Sequence, residues 1–172
     1  SVRSCTKDEE VFALQRHKCL PTRLPRQIFA LQGLRVLEMT PERESCLRYR
    51  MDLVPREIGH LQNLAFLYLD SNNLKEVPAE IGSLGKLERL TLSNNSIASL
   101  PEEIGGLQKL HSLHLANNSL AELPAPALIT PGSYLCWIDV SQFHVVHCNV
   151  SYALALNLHC ICSNYGCIFL IF

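Results

Sequence analysis

Apolar residues in this chain return on a fixed beat. From Leu64 the sequence reads LAFLYLDSNNLKEVPAEIGSLGK, from Leu87 LERLTLSNNSIASLPEEIGGLQK, and from Leu110 LHSLHLANNSLAELPAPALITPG. The three lines align without a gap as LxxLxLxxNxLxxLPxxIGxLxx, a period of 23 residues. The LxLxx portion alternates inward apolar residues with others, which predicts a short strand. Asn72, Asn95 and Asn118 share one column, and Pro78, Pro101 and Pro124 share another. An Asn just past a strand turns the chain, because its amide can donate to and accept from backbone groups that have lost their ladder partners. Pro fixes the backbone beyond that turn, and IGxL predicts a short helical or irregular return. One such repeat cannot bury its own leucines, so successive repeats must stack into a curved solenoid.

The beat extends in both directions. Upstream, Leu24-Pro25, Ile28, Leu31 and Leu34 match Val77-Pro78, Ile81, Leu84 and Leu87. Counting back further puts Val11, Leu14 and Cys19 in the columns of Leu64, Leu67 and Asn72, although Arg16 and Pro21 break the pattern. Leu34 to Leu64 spans 30 residues, which implies a seven-residue insertion, placed within Thr40 to Tyr49, before Val54-Pro55 restores the phase. Downstream, Cys136, Ile138, Phe143 and Val146 hold apolar columns, while Ser133 and Ser141 replace the leading Leu and the Asn. The expected organisation is an N-terminal extension over 1–10 and a solenoid of about five repeats over 11–132, with the insertion near 40–49. A degenerate C-terminal cap repeat over 133–148 and an apolar tail over 149–172 follow.

On these repeats the chain resembles the leucine-rich-repeat family, in the 23-residue intracellular class with LPxxIGxL found in Ras-suppressor-type and Scribble-type scaffold proteins. The resemblance covers roughly Val11 to Pro131. It implies an α/β solenoid, with a curved parallel β-sheet on the concave face and short helical or irregular segments on the convex face. It implies that Asn72, Asn95 and Asn118 form a structural Asn ladder between stacked repeats. It further implies a cytoplasmic scaffold or adaptor in intracellular signalling, with a protein partner such as a small GTPase or another signalling protein.

The outward strand positions line the concave face of such a solenoid. They are Val36, Glu38 and Thr40; Phe66, Tyr68 and Asp70; Arg89, Thr91 and Ser93; and Ser112, His114 and Ala116. Phe66 and Tyr68 are expected to be exposed aromatics in columns where neighbouring repeats carry polar residues. Aromatics and Arg are the usual anchors of protein recognition. The expected partner-binding residues are therefore Glu38, Phe66, Tyr68, Asp70, Arg89, Thr91, Ser112 and His114.

Composition narrows the picture mostly by exclusion. A net charge of −1, from 15 basic and 16 acidic residues, gives no electrostatic footprint for nucleic acid or anionic lipid. GxSxG, Walker, GxGxxG and HExxH motifs do not occur, so no enzyme chemistry and no cofactor are expected. His111 and His114 stand three apart, which on a strand sends them to opposite faces. Eight scattered cysteines follow no obvious disulfide frame and fit a reducing compartment better than secretion. His144, His147, Cys148, His159, Cys160, Cys162 and Cys167 gather near the end without zinc-finger spacing, so no metal is expected.

An alternative from another class is a membrane-attached or extracellular receptor fragment with glycosylated sequons. Asn94, Asn117 and Asn149 begin N-x-S sequences, and in this reading those carry glycans. Against it, Ser follows Asn as part of the repeat. SVRSCTKDEE at the start has no apolar signal core; a chain that begins with Ser1 leaves a fragment or processed form open. The tail SYALALNLHCICSNYGCIFLIF is nearly uncharged and long enough to span a bilayer, but Asn157, His159, Ser163 and Asn164 lie within it. It is open to three readings: a cap, a membrane anchor, or an alternative terminus not selected for packing.

Overall fold

The computed structural model describes residues 11–13, 26–41, 50–120, 137–139, 158–163 and 166–171. The calls on the extension over 1–10 and on the interior of the insertion, 42–49, lie outside them. So does most of the cap and tail.

Three-residue strands stack in chain order. They are β1 (Val11–Ala13), β2 (Val36–Glu38), β3 (Phe66–Tyr68), β4 (Arg89–Thr91), β5 (Ser112–His114) and β6 (Trp137–Asp139). Each pairs in parallel with the next. Two longer strands, β7 (Leu158–Ser163) and β8 (Gly166–Ile171), form an antiparallel hairpin, and β8 pairs with β6. The sheet order is β1-β2-β3-β4-β5-β6-β8-β7.

Leucines at the middle of β2 to β5 fall into register, Leu37 beside Leu67, Leu90 and Leu113, and all four are fully buried. Behind them run further columns: Leu34, Leu64, Leu87 and Leu110; Met39, Leu69, Leu92 and Leu115; Ile58, Ile81 and Ile104. The core is thus a stack of like residues, one layer per repeat, with no single centre. Burying a leucine contributes about 1.5–3 kcal/mol, and each column is removed from water only where a neighbouring repeat covers it.

The IGxL segments form short 3-10 helices at Arg56–His60, Ala79–Ser83 and Glu102–Gly106. Pro55, Pro78 and Pro101 enter them with φ between −66° and −69°, a value the proline ring sets in advance. Adjacent returns pack backbone to backbone. A Cβ added at Gly82 would lie 2.2 Å from the carbonyl oxygen of Glu103 in the next repeat. No side chain fits there, which is why the motif ends its apolar step in Gly.

Both terminal repeats depart from the 23-residue count. The expected register puts Leu14 and Cys136 in the column of Leu67 and Leu113. The structure instead pairs Phe12 with Leu37 and Ile138 with Leu113. Each repeat is displaced by two residues. Side chains on a strand alternate, so a two-residue slip keeps every residue on its own face; hydropathy alone does not distinguish the registers. With this pairing, LCWIDV from Leu135 to Val140 supplies the LxxLxL frame.

Candidate functional site

The asparagine corner is built first, because it fixes the sheet edge. Asn95 Nδ2 donates to Leu92 O at 2.8 Å, to Ser93 O at 3.2 Å and to Leu69 O of the preceding repeat at 3.0 Å. Its Oδ1 accepts from Leu74 N at 3.1 Å. Asn72 makes the equivalent bonds to Met39, Leu69, Asp70 and Met51. Asn118 does the same with Leu92, Leu115, Ala116 and Ile97. Every amide therefore ties its own turn to the repeat before it.

The residue ahead of each of these asparagines has a left-handed backbone, with φ of 59° at Ser71, 57° at Asn94 and 55° at Asn117. Apart from Gly, Asn and Asp adopt that region most readily. Asn117 Nδ2 donates to Asn94 Oδ1 at 2.7 Å, and Asn94 Nδ2 donates to Ser71 Oγ at 3.5 Å. Reading Asn94 and Asn117 only as sequons misses this conformational role. The signal available in the sequence was the doubled Asn at the same place in two successive repeats.

Two rows of strand positions cross the concave face. By register the first runs Val36, Phe66, Arg89, Ser112 and Trp137, and the second Glu38, Tyr68, Thr91, His114 and Asp139. Sequence reasoning did not place Trp137 or Asp139 here, because it put the last strand two residues out of register. Phe66 and Tyr68 are half-buried, not exposed as expected. Arg89 is exposed, and its guanidinium carbon stands 6.0 Å from the centre of the Phe66 ring, the outer reach of a cation–π contact. Ser112 Oγ and His114 Nε2 are 2.8 Å apart. Glu38, Ser112 and His114 are half-buried.

Thr91 and Asp70 behave differently from the binding surface expected of them. Thr91 is only 7% exposed. Its hydroxyl donates to Asp70 Oδ2, and the Ser93 N–H donates to Asp70 Oδ1 at 2.7 Å. The pair braces β3 against β4, leaving little of Thr91 for a partner. Ala116, at the far corner of the face, is also buried.

Among the described residues no group of three or more His, Cys, Asp or Glu could hold a metal ion. His144, His147 and Cys148 lie outside them. No helix among the described residues is long and apolar enough to cross a membrane. On the flank, a depression of about 790 Å³ is lined by Leu53, Pro55, Pro78 and Pro101, with Arg56 and Glu80 at its edge. Leu53 there is 45% exposed, and Arg56 and Glu80 form an exposed ion pair of 3.8 Å, a kind that contributes little stability.

A parallel concave sheet, a column of bonded asparagines and short 3-10 returns together define an α/β leucine-rich-repeat solenoid. Residues 62–120 match the family model described as Leucine rich repeat. Among solved structures the chain is similar to the plant peptide hormone receptor RGFR1 in complex with RGF2, with 32% identity and a TM-score of 0.57. That match covers 68% of this chain and 18% of the receptor chain. It is also similar to an LRR protein of Leptospira interrogans, at 36% identity and TM-score 0.47, over 60% of this chain and 31% of that one. A third likeness is to InlP of Listeria monocytogenes, at 27% identity and TM-score 0.49, over 64% and 26%. The chain thus spans less than a third of the length of each of these structures. No curated protein sequence matches it. Leucine-rich-repeat domains generally serve as protein–protein interaction modules.

Proposed function

We propose that the chain is a non-enzymatic interaction module that binds a protein partner across its concave sheet, as a cytoplasmic scaffold or adaptor in signalling. One observation carries the reading of the face: Phe66, Tyr68 and Arg89 stand together at outward positions of β3 and β4, on a sheet whose inward leucines are fully buried. Two aromatics and an arginine on a rigid frame are the residue types that dominate binding energy. The scaffold role rests on the LPxxIGxL pattern and its resemblance to intracellular repeat proteins.

Affinity capture followed by mass spectrometry tests it. The wild-type chain retains a partner, and Tyr68→Ala with Arg89→Glu releases it while the far-UV circular dichroism stays the same. Unchanged capture by that double variant moves the site off the concave face. Loss with Leu53→Ser instead moves it to the flank.

The receptor similarity supports a second reading, an extracellular fragment whose partner is a peptide. Exposed Asn94 and Asn117 would then carry glycans. A mobility shift of the natively expressed protein on endoglycosidase treatment selects this reading over the cytoplasmic one.

A further inference from the structure

We infer that the segment bound on the concave face is acidic, an extended stretch of a protein partner that seats one carboxylate side chain on Arg89 and an apolar neighbour against Phe66 and Tyr68. This rests on the concave-face reading above. The charges on the face differ in how they are matched. Asp70 has both carboxylate oxygens occupied, by the Thr91 hydroxyl and the Ser93 N–H. Glu38 and Asp139 lie in the other row, each two strands away from Arg89, roughly 10 Å at the usual strand spacing. His114 is held against Ser112. Arg89 makes no ion pair among the described residues, and its side chain approaches the Phe66 ring. Glu88, its chain neighbour, lies just before β4 and is half-buried.

The result is an exposed guanidinium at the centre of the sheet with no ion-pair partner among the described residues. The Phe66 ring lies to one side of it, at the outer reach of a cation–π contact. A guanidinium fork matches a carboxylate through two parallel N–H···O bonds. A phosphate would be a poorer match, because doubly charged groups are recognised by clusters of Arg, and neither row contains a second Arg or any Lys. Phe66 lies on the adjacent strand in the same row, and Tyr68 two residues along it, with a hydroxyl that makes no hydrogen bond among the described residues. They offer apolar surface and one free polar group beside the carboxylate.

A random twelve-residue phage-displayed library, selected on the full chain, tests the inference. The expected result is enrichment of Asp or Glu beside aromatic or aliphatic residues. A synthetic copy of a selected peptide, acetylated and amidated, should lose affinity about tenfold or more when the acid becomes Gln or when the chain carries Arg89→Gln. Arg89→Lys should recover only part of that loss, because it restores the charge without the fork. Selected peptides that lack acids yet depend on Tyr68 overturn the acidic assignment and leave the concave face standing. Peptides indifferent to both Tyr68 and Arg89, or a library that yields no binder, overturn both.

Discussion

At Gly82, on the convex side, one added methyl would sit 2.2 Å from a backbone oxygen of the next repeat. At Arg89, seven residues later and on the concave side, a long charged side chain stands exposed. Both positions recur with each repeat, but they answer to different constraints. At Gly82 the neighbour's main chain comes so close that it leaves no room for a side chain. On the concave side Phe66, Arg89 and Ser112 occupy equivalent sites in one register without disturbing the leucines behind them. The fold therefore separates its requirements by face: one closes the stack, and the other is free to carry recognition.

The contrast can be broken most sharply from the convex side. Gly82→Ala should lower stability by about 2–3 kcal/mol, as overpacking does, measured by urea unfolding. Gly85→Ala is the matched control: a Cβ there meets nothing within 4 Å, and the change should stay within about 0.5 kcal/mol. Equal effects at the two glycines would remove the backbone-contact explanation. Next in size, Asn95→Ala leaves the Leu74 N–H without its partner and takes one of two amide donors from each of the carbonyls of Leu69 and Leu92. It should cost about 1–3 kcal/mol, and an unchanged melting temperature would sink the role assigned to its amide.

Smaller effects sharpen the same division. Ser71→Asn should stabilise by about 0.5 kcal/mol, because Asn accepts the left-handed backbone found there. A destabilised variant would show that the φ values at Asn94 and Asn117 do not explain those residues. Smallest on stability is Arg89→Gln, which forfeits the Phe66 contact, worth about 0.5–1 kcal/mol or less at an exposed site. Its consequence should be seen in partner binding and hardly at all in thermal unfolding.

The middle of the molecule was legible in the sequence because every constraint there repeats without a gap. Leu67, Leu90 and Leu113 lie 23 residues apart and fall in register. The columns of Asn and Pro could be read the same way. The ends were less legible for a physical reason: strand alternation has a period of two, so Phe12 and Leu14, or Cys136 and Ile138, serve the inward face equally well by hydropathy. The concave face was legible in position and not in accessibility. Nothing in the letters of Thr91 says that it leans on Asp70, a contact made across strands and 21 residues apart.

The asparagine column has a consequence for how the protein comes apart. The N–H groups of Met51, Leu74 and Ile97 are each held by a side chain that belongs to the following repeat. Their protection from solvent exchange is thus on loan from a neighbour. Deuterium uptake at Leu74 should track opening of the turn at Asn95, and uptake at Ile97 the turn at Asn118. Loosening that starts at the C-terminal side would travel backwards along the chain, one repeat at a time, as a zipper does.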